Sequence, residues 1–333
     1  MLLMDQKMNF GPSKRAVQLS LVLGATVAAL ASHPGWAAEP RTGMPRVVVT
    51  TTIVADLVRQ VAGDEVETDC LMGPGVDPHS FKATPRDADR LARADLVVAS
   101  GLQLEGKLAA LLERLGRRKR VVSVAESIPK DRLIEVGDGL YDPHVWFDPT
   151  LWAMCVEAVV EPLGQIVPAG RPRFEAAAAQ YRGRLKLLDD ALRERVAAIP
   201  ERRRVLVTSH DAFRYFGRAY AIDVVGIQGM STESEAGLND INRLVDLVVS
   251  RGVPAVFVET SVADRNVTAL REGALAKGHG VRLGGRLYSD ALGGPQSGAE
   301  TLEEALRANV DVVVGGLAGV AVRESDGGTG SGR

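Results

Sequence analysis

The sequence predicts an α/β protein of two lobes, each a parallel sheet flanked by helices, joined by a single long helix. Three observations carry this. Short β-branched, apolar runs alternate with helically spaced segments over residues 45–165, the same alternation restarts over 201–320, and the chain between them is nearly all helix. Such alternation is the signature of parallel strands whose crossover helices cover both faces of a sheet. The 333 residues, 46% of them hydrophobic, are enough to build two cores of this kind.

The elements follow in order. "RVVVTTTIVADLVRQVAG" (46–63) opens as a strand and turns to helical spacing at Ile53, Leu57 and Val61 before Gly63 stops it. "EVETDCLM" (65–72) alternates like a strand, and "TPRDADRLARA" (84–94) is a helix with Pro85 near its start. "DLVVAS" (95–100) is a buried strand, "LEGKLAALLERL" a helix and "RVVSVA" (120–125) another strand. From 166 to 200 a connecting helix is expected. Its main stretch, 171–200, holds Gly183 but no proline between Pro172 at its start and Pro200 at its end, and at 1.5 Å per residue it would reach about 40 Å. The second lobe then reads as strand–helix pairs in 204–227, 238–259, 266–285 and 301–317.

The ends of the chain have a different character. Lys7, Lys14 and Arg15 precede the apolar run "AVQLSLVLGATVAALA" (16–31), and Gly35 and Ala37 supply small residues for signal peptidase, so 1–37 is expected to be a cleavable export signal. No Cys precedes Cys70, so no lipobox is expected and a periplasmic protein is read. The Gly/Ser-rich stretch 321–333 is expected to be disordered. A formal charge of −2 excludes the strong basic field that nucleic acid or an anionic membrane needs. Cys70 and Cys155 lack the spacing of a zinc or redox pair and read as buried free thiols.

Chemistry concentrates on histidine. "VDPHSF" (76–81) and "YDPHVWF" (141–147) repeat Asp-Pro-His 65 residues apart, and proline stiffens each loop ahead of His79 and His144. His210 ends the strand-like "RVLVTSH". All three lie beyond strand-like runs, where parallel sheets bind ligands. Three neutral imidazoles and one carboxylate make a tetrahedral shell for a metal ion. The carboxylate candidates are Asp211, Glu233, Glu235, Glu259 and Asp290, and Asp290 in "GGRLYSDALGG" (284–294) stands after a strand at the opening of a Gly-rich loop. His279 in "KGHG" reads as an exposed loop residue. There is no HExxH, GxSxG, GxGxxG or P-loop.

Together these stretches, with "LVTSHDAFRYFGRAYAI", "STESEAGLNDI" and "VFVETSVADRNVTALRE", resemble the solute-binding proteins of zinc and manganese ABC importers, the TroA-like family, over essentially the whole mature chain. The resemblance implies an ion held in a cleft between two α/β lobes on one long helix, with His79, His144, His210 and Asp290 as ligands. It implies a monomer that delivers Zn²⁺ or Mn²⁺ to a membrane permease and its ATPase, with no catalytic residues. Two features bear on the metal: 126–140 lacks the His-rich insertion of zinc-specialised members, and His210 stands where manganese-specialised members often carry Glu. Three imidazoles favour zinc on softness. The competing readings are a periplasmic metal-dependent hydrolase with Glu235 or Glu259 as general base, and a metal-binding surface adhesin.

Overall fold

The computed structural model describes residues 43–318 with the exception of Glu235; the export signal 1–37 and the tail 321–333 expected from the sequence lie outside the described residues. The first half opens with β1 (Arg46–Val49) and α1 (Thr52–Ala62), which starts where the Thr51 hydroxyl accepts the Val54 N–H at 3.3 Å. Ile53, Leu57 and Val61 form its buried stripe, and Gly63, at φ 53°, ends it. Then come β2 (Glu67–Cys70), α2 (Pro85–Arg93), β3 (Leu96–Ala99), α3 (Ala109–Gly116) and β4 (Val121–Ser123). Thr84 and Asp87 make a reciprocal capping box on α2, with Pro85 in its first turn. The strands pair in parallel in the order β2-β1-β3-β4. All their carboxyl ends therefore face one edge, and the loops that follow converge there.

Between this sheet and the second half lie β5 (Glu135–Gly137) and β6 (Leu140–Tyr141), an antiparallel ribbon. The run before His144 is thus a hairpin rather than a sheet strand, because Asp138 and Gly139, at φ 53° and 73°, form the tight left-handed turn that Asp-Gly favours. Then come α4 (Pro149–Ile166) and α5 (Arg171–Ala197). The connector expected over 166–200 begins only after a 3₁₀ turn at Pro168–Gly170, and its 27 helical residues span about 40 Å.

The second half contains β7 (Val205–His210), α6 (Arg214–Tyr220), β8 (Asp223–Gln228), α7 (Leu238–Ser250), β9 (Ala255–Glu259), α8 (Arg265–Ala276), β10 (Arg282–Leu287) and α9 (Leu302–Ala318). β7 pairs in parallel with β8, β9 pairs in parallel with β10, and β7 runs beside β9. The alternation expected to continue through 301–317 ends at β10: α9 is helix throughout, its buried face of Leu302, Leu306, Val310, Val313 and Leu317 repeating at helical spacing.

One apolar cluster runs through both halves. It joins Val47 and Val49 of β1 and Leu57 of α1 to Phe174, Tyr181, Leu188 and Val196 of α5, and continues to Phe213, Phe257 and Val313. Buried Asp56 of α1 adds a polar tie, accepting the Leu302 N–H at the start of α9 at 3.1 Å. Smaller clusters fill the outer face of the first sheet and the space under α7 and α8. Cys70, half-buried, and Cys155, buried, are both free thiols.

The Phe257 ring lies in a slot walled by two glycines, since a Cβ on Gly284 would stand 2.4 Å from it and one on Gly316 2.7 Å. Gly316→Ala is expected to destabilise the fold by about 1–3 kcal/mol, the usual range for overpacking a closed core, as read from urea denaturation.

Candidate metal centre

Four side chains from both halves meet beyond the strand ends. His79 rises from the loop after β2, His144 follows β6, His210 is the last residue of β7 and Asp290 follows β10. His79 is 3% exposed and the other three are fully buried. Their potential ligand atoms all lie within 4.8 Å of one another. The Nε2 of His144 is 3.3 Å from that of His79 and 3.4 Å from that of His210. Asp290 presents Oδ1 to His144 Nε2 and Oδ2 to His210 Nε2, each at 3.4 Å. These separations are close to the edge of a tetrahedral zinc shell, in which ligands about 2.0–2.1 Å from the metal stand about 3.3 Å apart.

The Asp-Pro-His repeat gives the local reason for the first two positions. In each copy the aspartate turns back to accept the backbone N–H of the histidine two residues on, Asp77 to His79 at 2.9 Å and Asp142 to His144 at 3.0 Å. Asp142 Oδ1 also accepts from His144 Nδ1 at 2.7 Å, which leaves Nε2 aimed at the centre. Glu259 does the same for His210 from β9, taking its backbone N–H at 2.9 Å and facing its Nδ1 at 2.5 Å. Ser261 donates to Asp290 Oδ2 at 3.1 Å, and Trp146 Nε1 donates to the Ser289 carbonyl at 2.9 Å, tying the second Asp-Pro-His loop to the Asp290 loop. Beneath His79, a Cβ on Gly106 would strike the His79 carbonyl at 2.5 Å.

Burial and neighbouring charges shift the pKa values across this cluster. Burial pushes His79 down to about 4 despite the pull of Asp290. Burial also works to lower His144, but Asp142 and Asp290 outweigh it and push the imidazole up to about 10. His210 is raised in the same way, burial being overcome by Glu259 and Asp290. Asp290 would be raised by burial, yet the imidazoles of His210, His144 and His79 hold it well below the usual carboxylate range. Its Oδ1 is buried without a hydrogen-bond partner. A divalent cation at the centre would satisfy that oxygen and turn three nitrogen lone pairs inward at once.

The other candidates lie elsewhere. Asp211 pairs with Arg214 at 2.6 Å, and Glu233 pairs with Lys107 at 2.9 Å on the cleft rim. Glu235 lies outside the described residues. Glu259, weighed as a ligand or a general base, stands behind His210 instead. His279 is half-buried rather than exposed, because its Nε2 reaches the Val253 carbonyl at 2.9 Å. Sequence reasoning missed Asp142 and Ser261 as supports; the repeated Asp two residues before each His was a readable signal for the first, whereas nothing in one dimension marks the second.

Two α/β halves on one long helix, with a buried three-histidine, one-carboxylate cluster where their loops meet, define the class of metal-ion solute-binding proteins. The sequence pattern of the family described as zinc-uptake complex component A, periplasmic, matches residues 47–316, and the chain belongs to that family of ABC-importer binding proteins. It is 42% identical over 300 residues to the manganese-binding lipoprotein MntA of Bacillus subtilis, covering 90% of this chain and 98% of that protein. It is 41% identical over 276 residues to the zinc-binding protein TroA of Treponema pallidum, covering 83% of this chain and 90% of that protein. The solved structure of the periplasmic zinc-binding protein TroA from T. pallidum superposes with a TM-score of 0.81 at 41% identity, over 83% of this chain and 99% of that one. Among the described residues no helix is long and apolar enough to cross a membrane.

In the metal-free protein at pH 7, His79 is expected to be neutral and His144 to carry a proton on each ring nitrogen. Side-chain ¹⁵N NMR over pH 4–10 checks this, and Asp142→Asn is expected to move the His144 transition down.

Proposed function

We propose that the protein captures a divalent metal ion, Zn²⁺ in preference to Mn²⁺, in the periplasm and delivers it to the permease and ATPase of an ABC importer. In this reading the ion is bound by Nε2 of His79, His144 and His210 and by Asp290, between an N-terminal lobe, 45–165, and a C-terminal lobe, 201–320. Residues 1–37 serve as the export signal, and the protein acts as a monomer. The observation that carries the reading is the convergence of four ligand atoms within 4.8 Å of one another in a buried site, with His144 Nε2 3.3 and 3.4 Å from its two imidazole neighbours, close to the edge of a tetrahedral shell.

Zinc and manganese stand in the names of two relatives of nearly equal identity, so those names do not decide between them. Ligand chemistry favours zinc. Three imidazoles with one carboxylate suit the softer, four-coordinate ion, whereas manganese prefers more oxygen. The carboxylates behind His144 and His210 raise the basicity of those rings and lock their orientation, which supports tight binding.

Capture rather than catalysis is supported by how the carboxylates are used. Glu259, the candidate base of a hydrolase, has both oxygens engaged by His210. The relatives' names speak of metal binding and metal transport, which favours import over surface adhesion.

Purified protein stripped of metal and offered equal Zn²⁺ and Mn²⁺ is expected to retain one equivalent of zinc by elemental analysis. His144→Ala and Asp290→Ala are each expected to weaken zinc binding by more than the roughly 10–100-fold typical of losing a supporting residue. Unchanged stoichiometry and affinity in both variants would overturn the ligand assignment. Protons and the ion compete for Nε2 of His144 and His210, both raised in pKa, so affinity is expected to fall as pH is lowered, as read by competition with a chelator of known pH dependence.

A further inference from the structure

The rim of the cleft holds a set of contacts separate from the four-residue cluster. Asp77 uses Oδ1 for the His79 backbone N–H. Its Oδ2 accepts the Ser80 hydroxyl at 2.7 Å and, from the opposite half, the Thr232 hydroxyl at 2.6 Å. The next residue along, Glu233, pairs with Lys107 at 2.9 Å. The loop bearing Asp77 already leans across the cleft: a Cβ on Gly75 would lie 3.6 Å from the Thr260 carbonyl, and one on Gly294 3.8 Å from Pro74.

The four candidate ligands are therefore fastened differently. His144 and His210 are each gripped at Nδ1 by a fully buried carboxylate, and Asp290 is held by Ser261. His79, whose pyrrole-side nitrogen has no such carboxylate among the described ion pairs, is placed through the backbone of its own loop, and that loop is fixed across the cleft by Asp77. A hydroxyl donating to a carboxylate at 2.6 Å is a strong, charge-assisted bond. The Lys107–Glu233 pair has both side chains at least two-fifths exposed and contributes little by comparison.

We propose that Thr232 is a positioning residue for retention of the bound ion: by clasping Asp77 across the cleft it holds the His79 loop shut, so that His79 is the last ligand to join and the first to leave. The inference rests on the metal site proposed above. Its energetic content lies in the rate of release. The three ligands His144, His210 and Asp290 are already assembled when the ion arrives, so the clasp affects capture less than escape, in keeping with the general rule that affinity differences among related complexes reside mainly in dissociation.

The test loads wild-type protein, Thr232→Val, Thr232→Ser and His144→Ala with Zn²⁺ and follows transfer of zinc to excess fluorescent chelator by stopped flow. Thr232→Val keeps the shape of the side chain without its hydroxyl. It is expected to bind one zinc, to release it about tenfold faster than wild type, and to capture it at a rate within about twofold of wild type, since a bond to a charged acceptor is lost only in the closed state. Thr232→Ser is expected to restore slow release. The proposal is overturned if Thr232→Val releases zinc at the wild-type rate, or if Thr232→Ser is as fast as Thr232→Val, because the hydroxyl would then not be the cause. In either case His144→Ala still differing from wild type leaves the metal site standing, whereas His144→Ala retaining zinc like wild type removes the site and the clasp together.

Discussion

Everything about this molecule turns on three carboxylates and three imidazoles that have been taken out of water together. Asp142, Glu259 and Asp290 are fully buried, as are His144 and His210, with His79 at the lip. Isolated buried charges are costly, and they persist where opposite charge and hydrogen bonds surround them. Without an ion, Asp142, Glu259 and Asp290 raise the pKa values of His144 and His210, which favours protons there. A divalent ion at the centre would bring two positive charges to one point and displace such protons. The two states exchange one form of compensation for another, and the frame around the cluster need not change much.

That frame consists of features which serve the same end from different distances. The convergence of strand ends brings the loops to one edge. The two Asx turns stiffen the Asp-Pro-His loops from within. Buried Glu105, accepting from the Thr50 hydroxyl at 2.8 Å and the Ser100 N–H at 2.6 Å, ties the loops after β1 and β3 together beneath His79. Trp146 and Ser289 connect the loops that present His144 and Asp290. Preorganisation of this kind lowers the conformational price of binding, because little has to be ordered when the ion enters.

Much of this was legible in one dimension, for reasons that differ from element to element. The first sheet could be read because its strands are short apolar runs and its helices carry clean periodicity and caps, as at Thr84–Asp87. The three histidines of the cluster could be picked out because histidine is scarce here and three of the five sit beyond strand-like runs, whereas Asp290 was one of five carboxylate candidates until the family resemblance pointed to it. The helical character of 301–317 was misread because a run such as Val-Asp-Val-Val-Val is β-branched, and only packing against β10 and α5 decides in favour of helix. The role of Glu259 was also hidden. It lies 49 residues from His210, and their contact depends on β7 running beside β9, a relation that no spacing encodes.

The long helix α5 has a consequence of its own. Because its residues Phe174, Tyr181, Leu188 and Val196 are buried in a core continuous with both halves, it is more than a rod between two bodies. Swinging the halves apart would pull apolar side chains out of a shared interior, at about 25 cal/mol for each Å² exposed. Wide gaping, of the sort that lets some receptors wrap around whatever enters, is therefore an expensive motion for this chain. If the cluster holds the ion as proposed, discrimination between ions would fall to the fit of a nearly finished shell, and exchange with solvent to small movements of the loops around it.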